Sequence, residues 1–245
     1  MLYPYFAGKT GFEAPLSMPQ WIALGQAMKA VHATALPCAL AERVPQEDYS
    51  PLWRDAVKAF HGRVQQQRFD DPTAASFAAL WLAKRDEIRR FVERAAQLAR
   101  VLQARGVTPV ICHADLHGNN VLVGAGDALA IVDWDAPILA PKERDLMFIG
   151  GGVGGIWNAD QESDWFYQGY GQAEIDLVAL AYYRYERIVE DIAEFSERIF
   201  GMQGGVEERR RGLRLIEQFA SNNVVDIADR TYQRLLDSAL GPSLP

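Results

Sequence analysis

His113-Ala114-Asp115-Leu116-His117-Gly118-Asn119-Asn120-Val121-Leu122-Val123, followed shortly by Ile131-Val132-Asp133-Trp134-Asp135, is the stretch that decides how this chain folds. Pro109 to Cys112 reads as a short strand leading into it, and Asn120 to Val123 as a second. Gly124-Ala125-Gly126-Asp127 is a turn, and Leu129 to Val132 is the returning strand. Asp115 and Asn120 stand on the loop that enters this hairpin, and Asp133 leaves it on the other strand. A tight two-stranded turn returns the chain beside its own start, so Asp133 approaches Asn120 in space. Two carboxylates and an amide in one loop cluster are hard oxygen ligands suited to magnesium. One of the carboxylates can also accept a hydroxyl proton.

Outward from the hairpin the pattern is helical. Upstream, Ser17 offers an N-cap with Pro19 in the first turn, and Trp21, Leu24, Met28 and Val31 repeat at helical spacing, which predicts a helix over 18–33. A loop bracketed by Pro37 and Pro45 leads to another helix after Pro51, with Trp53, Val57 and Phe60 on one face. A long third helix runs from about Thr73 to Ala104, started by Asp71-Pro72 and stopped by Gly106. Downstream, residues 174–200 and 206–238 read as two long helices separated by glycines near Gly204. The expectation is a mostly helical α+β fold with one small central β-hairpin, no internal repeat and no linker.

The spacing His113-x-Asp115-x4-Asn120, followed by the apolar-apolar-Asp triplet ending at Asp133, resembles the catalytic arrangement of protein-kinase-like phosphotransferases. The wording HADLHGNNVLV, then IVDWDAPILAPKERDLMFIG, is similar to the aminoglycoside phosphotransferase family, and within it to the spectinomycin phosphotransferases. The resemblance implies a kinase-like lobe that moves phosphate from ATP to a hydroxyl of a small molecule. Asp115 would be the catalytic base, and Asn120 and Asp133 would hold Mg2+ against the ATP phosphates. His113 would brace the loop and Asp145 would anchor it from below. Asp135 reads equally well as a further metal-side carboxylate or as a loop cap. By the same resemblance the downstream helices, 157–238, line the acceptor pocket, where Glu186, Glu190 and Asp191 are candidate carboxylates for a cationic acceptor. The competing reading of these helices is an aromatic core with surface acids.

The family also implies an upper lobe with a phosphate-covering loop and a lysine paired to a helix glutamate. Lys9 is the first lysine, and Leu2-Tyr3-Pro4-Tyr5 resembles the hinge whose backbone meets adenine, with Tyr3 and Tyr5 as nucleotide contacts. The chain therefore reads as a hinge-like segment, 1–12, and a C-terminal helical lobe, 13–245, with its catalytic loop and hairpin at 110–135 and its N-terminal ATP lobe absent. Surface uncovered by such an absence would invite a homodimer. Two alternatives to an antibiotic kinase remain: an inactive kinase-lobe remnant acting as a binding module, and a metabolic small-molecule kinase of the same superfamily.

Several features are set aside. His113 and His117 form an HxxxH pair, but a strand leads directly into it, whereas zinc ligation at that spacing needs a helix face. Gly8-Lys9-Thr10 resembles the end of a P-loop, yet Tyr3 stands where the first glycine is required. The glycines from Gly150 to Gly155 read as a helix end and flexible turn, and Glu207 to Arg211 as a solvated helix face. With 49% apolar and 23% charged residues, the 245-residue chain has ordinary globular composition. A formal charge of −7 argues against nucleic acid or an anionic membrane as partner. Cys38 and Cys112 are too few for a disulfide framework, and no signal peptide or membrane span is visible, so a cytoplasmic setting is expected.

Overall fold

The computed structural model describes residues 5–201 and 223–240. Tyr3, the Gly204 break, the run from Glu207 to Arg211 and the first part of the predicted helix 206–238 lie outside them. The chain forms two compact units, each made of two separated segments: residues 1–48 with 106–176, and residues 49–105 with 177–245.

The first unit holds the hairpin. β1 (Lys9–Thr10), β3 (Val121–Val123) and β4 (Leu129–Ile131) form a three-stranded antiparallel sheet in the order β1-β3-β4. Val121 pairs with Ile131 and Val123 with Leu129, so the two strands expected on either side of the Gly124–Asp127 turn do pair as a hairpin. The sequence reading misses the third strand. Lys9 pairs with Val123 and Thr10 with Leu122, and a Cβ on Gly8 would stand 2.8 Å from the carbonyl oxygen of Val123. That close strand approach accounts for the glycine of Gly8-Lys9-Thr10 without any phosphate. β2 (Val110–Cys112) does not join the hairpin; it pairs antiparallel with β5 (Ile138–Ala140), a strand also missed. Three residues are too few for alternation to show.

α1 (Met18–His32) is closed at its start by a reciprocal capping box: the Ser17 N–H donates to Gln20 Oε1 at 2.9 Å, and the Gln20 N–H to Ser17 Oγ at 3.4 Å. It buries Trp21, Leu24 and Met28 completely. Its partner is α6 (Asp160–Tyr170), following the short α2 (Cys38–Ala41) and α5 (Glu143–Leu146) in this unit. The two helices touch through glycines. A Cβ on Gly169 would collide with the carbonyl of Ile22, and one on Gly25 with the backbone of Phe166 and Tyr170.

The second unit is helical. α3 (Leu52–Gln66), α4 (Pro72–Arg105) and α8 (Val224–Leu240) pack against α7 (Leu177–Phe200). Asp71 caps α4, its Oδ1 accepting the Ala74 N–H at 2.9 Å, and Gly106 ends it at φ 63°. Phe77, Trp81, Phe91, Leu98 and Leu102 of α4 are buried, as are Tyr183, Tyr185, Ile188 and Val189 of α7. Tyr185 donates to Asp229 Oδ1 at 2.6 Å, and Arg94 bonds both groups, at 2.6 and 2.7 Å. Burial, with that carboxylate beside it, pushes the phenol's pKa far up, so it stays a donor. No described helix is long and apolar enough to cross a membrane.

Candidate active site

The site is a loop held from beneath. β2 carries the chain to Cys112, whose fully buried thiol donates to Ala140 O and Pro141 O at 3.6 and 3.5 Å. Burial, reinforced by the charge of Asp145, raises its pKa far above the ordinary thiol value, so it behaves as a small apolar group with a weak donor. The next two residues leave the strand with their N–H groups facing α5. Asp145 is fully buried there and accepts three hydrogen bonds. The His113 N–H reaches Oδ2 at 2.9 Å, the Ala114 N–H reaches Oδ1 at 2.7 Å, and His32 Nε2 reaches Oδ2 at 3.0 Å. α5 itself is tied down by the Arg144–Glu47 pair at 2.9 Å. Ala114 takes φ 75°, a strained region for a residue with a Cβ, and two of the bonds to Asp145 fall on it and its neighbour.

His32 and its partner Tyr170, whose hydroxyl lies 2.8 Å from His32 Nδ1, escaped the sequence reading. No motif links a lone histidine on α1 to a loop more than eighty residues later. His32, Cys112 and Asp145 place their donor atoms within 4.8 Å of one another, a possible metal-ligand group among the described residues. Each atom is already used in the hydrogen bonds above, with the thiol held protonated, so the cluster reads as a structural support.

His113 works in both directions. Its Nδ1 accepts the Asp115 N–H at 3.3 Å, so Nε2 carries the proton and donates to Val132 O at 2.8 Å. One ring thus ties the loop to the outgoing hairpin strand, with Trp134 edge-on against it at 4.6 Å. His117 caps the 3-10 turn Gly118–Asn120, its Nδ1 accepting the Asn119 N–H at 3.1 Å, and its Nε2 stands 3.2 Å from Asp115 Oδ2. Asn120, also buried, donates Nδ2–H to Asp115 O at 2.8 Å and approaches Oδ2 at 3.4 Å. The Val132 N–H donates to Asn120 O at 2.9 Å, so Asp133 follows just past the end of β4, one residue beyond the bond to Asn120. Asp133 is exposed and takes φ 64°. Asp115, Asn120 and Asp133 are therefore gathered on one loop cluster, and Asp145 and His113 support it. With Nδ2 committed to Asp115, Asn120 keeps Oδ1 for a cation, and Asp133 offers an exposed carboxylate. That hard-oxygen pair fits magnesium.

Tyr5 is 94% exposed. Glu186, Glu190 and Asp191 belong to α7 in the second unit. Glu186 is buried and takes Arg54 Nη1–H at 2.7 Å, while Nη2 of Arg54 donates to Tyr49 O and Ser50 O. Asp191 pairs with Arg187 at 3.0 Å, and Glu190 is half-buried. Tyr182 and Tyr183 are buried beside one another, as the aromatic-core reading has it.

A small hairpin with such a loop, in a largely helical chain, is the fold of a kinase-like phosphotransferase. The chain belongs to the phosphotransferase enzyme family, whose model matches residues 1–174. Among solved structures, the spectinomycin phosphotransferase APH(9)-Ia, in complex with ADP and spectinomycin, is 40% identical at a TM-score of 0.87, covering 94% of this chain and 70% of that one. The AMP-bound complex of a spectinomycin phosphotransferase APH(9)-Ia is 39% identical at 0.84, covering 92% and 70%. An aminoglycoside phosphotransferase from Alicyclobacillus acidocaldarius shares the fold at a TM-score of 0.63 with 14% identity, covering 94% of this chain and 70% of that one. A search of curated proteins returned no match.

Proposed function

We propose that the chain transfers the γ-phosphate of ATP to a hydroxyl of spectinomycin or a closely similar cationic aminocyclitol. The observation that carries this reading is the loop geometry, with Asn120 and His117 both at Oδ2 of Asp115 and Asp133 one residue beyond the Val132 N–H that bonds Asn120 O. The 40% identity to a protein crystallised with ADP and spectinomycin supports the choice of donor and acceptor.

Phosphoryl transfer passes through a loose transition state with little covalent work for the protein, so positioning and charge dominate. In this reading Asp115 orients the acceptor hydroxyl and takes its proton as the oxygen attacks the γ-phosphorus. The bond from that phosphorus to the bridging oxygen breaks and ADP leaves. Magnesium held by Asn120 and Asp133 would neutralise charge on the phosphates. Asp145, through the two loop N–H groups, keeps Asp115 where the hydroxyl must arrive, and His113 keeps the loop against the hairpin.

The test is ADP release together with mass spectrometry of the acceptor, using the purified chain, ATP and magnesium. Spectinomycin, an aminoglycoside panel and simple amino alcohols serve as acceptors. A spectinomycin product heavier by one phosphoryl group, lost on adding EDTA, is the expected result. Phosphorylation of an amino alcohol with none of spectinomycin would move the substrate to metabolism, and no transfer to any acceptor at millimolar ATP would sink the reading.

A further inference from the structure

We infer that His117 is a positioning residue for Asp115, holding its carboxylate through the Nε2 proton; the inference rests on the reading of Asp115 as the base. The tautomer follows from the backbone. Nδ1 of His117 accepts the Asn119 N–H at 3.1 Å, and a nitrogen that accepts carries no proton. The neutral ring must then bear its proton on Nε2, the atom 3.2 Å from Asp115 Oδ2. Such contacts in a ligand-free site are often loosely aligned and tighten when substrate arrives. The ring has Phe12 beside it at 6.2 Å and Phe148 edge-on at 6.4 Å. Its position is therefore set by a backbone cap on one side and aromatic packing around it.

Asn120 and His117 both approach Oδ2 of Asp115, at 3.4 and 3.2 Å. Asn120 also binds the backbone carbonyl of Asp115, so it fixes the residue, whereas His117 reaches only the side chain. The rotation of the carboxylate about its own axis is what His117 is placed to limit. A base that must meet a hydroxyl within a few tenths of an ångström depends on that rotation. HxxxH spacing on a helix would have made this histidine a metal ligand; on this loop it faces the carboxylate two residues before it.

The two nitrogens can be tested apart. An asparagine side chain reaches about as far as Nδ1, and a glutamine about as far as Nε2. His117→Asn therefore keeps the cap on Asn119 and loses the donor to Asp115, whereas His117→Gln keeps the donor and loses the cap. Expected for His117→Asn is a fall of about tenfold in kcat, with acceptor KM and melting temperature near parental, since a tenfold change matches one such hydrogen bond. Expected for His117→Gln is recovery to within about threefold of the parental kcat, despite a lower melting temperature. Parental kcat in His117→Asn, or rates that follow melting temperature in both variants, would overturn the inference. A second arm needs no turnover. Long-range 1H–15N spectra of the full chain should show His117 protonated on Nε2, and Asp115→Ala should move that resonance. An Nδ1-protonated ring, or a resonance indifferent to Asp115→Ala, would overturn it too. Absence of phosphotransfer in the parental chain, with the Nε2 tautomer and its response intact, would instead count against the proposed function.

Discussion

Asp145 and Asp115 of the hairpin unit and the paired carboxylates of the helical unit are held differently, although the hairpin unit also has one arginine pair, Arg144–Glu47. In the helical unit the carboxylates meet arginine: Glu186 pairs with Arg54 at 2.7 Å, and Asp229 with Arg94 at 2.7 Å and Arg90 at 3.2 Å. In the hairpin unit Asp145 is met by two backbone N–H groups and His32, and Asp115 by Asn120 and His117. Arginine neutralises a charge and cross-links helices, which serves stability. Backbone N–H groups fix an orientation to a few tenths of an ångström, which serves chemistry, and they allow Ala114 to be held at φ 75°. One unit is built to persist and the other to aim.

The contrast can be broken at four points. The largest effect is expected for Asp115→Asn. Phosphotransfer to spectinomycin should fall by about a thousandfold, within the usual range for loss of a general base. Its melting temperature should match the parent, because the side chain lies at the surface of its loop. Strong destabilisation in a melting scan would show that Asp115 is structural. Arg54→Ala should do the reverse, costing about 3–5 kcal/mol in urea unfolding because it removes the guanidinium that lies 2.7 Å from the buried Glu186 carboxylate. The double change Arg54→Met with Glu186→Leu should recover most of that loss, and equal destabilisation of both variants would show that packing, not charge, is at stake.

Gly169→Ala comes next, at about 2 kcal/mol, since the new methyl meets the Ile22 carbonyl and forces α1 and α6 apart. Urea unfolding unchanged from the parent would disprove so close an approach. The smallest effect is of opposite sign. Gly62 lies inside α3 with nothing within 4 Å of a new Cβ, so Gly62→Ala should stabilise by about 0.5–1 kcal/mol, read in the same assay.

Much of this architecture was legible in the residues. α1, α3 and α4 begin where Ser17, Pro51 and Asp71 place their starts, and α4 ends just before Gly106, because caps and apolar spacing act within a few residues of each other. The hairpin was legible for the same reason, its turn glycines standing directly between its strands. β1 and β5 were not, since strands of two and three residues exist only through partners distant in sequence. α6 went unread for a related cause: its buried face is Phe166 and Tyr170, and the glycine that lets α1 approach looks like a helix breaker.

For the site, HxDxxxxN and the hairpin triplet placed Asp115, Asn120 and Asp133 in one neighbourhood, since a loop and a tight turn are local. The motif also pointed to Asp145 through the family resemblance. His32 and Tyr170 had no signal, and His117 had a misleading one, its HxxxH spacing suggesting metal where the backbone makes it a neighbour of a carboxylate. The α7 acids came from the family resemblance, which implies an acceptor pocket along these helices, whereas the Arg54 partner of Glu186 lies 132 residues away and leaves no local signal.

The sequence by itself determined the long helices α1, α3, α4 and α7, the hairpin and which residues share its entry loop, because capping, periodicity and turn chemistry are interactions between near neighbours. Only the tertiary structure decided which carboxylate holds which backbone group, which histidine carries its proton where, and which acids are consumed by arginine. Those are contacts between segments that burial alone brings together, and no spacing along the chain records them.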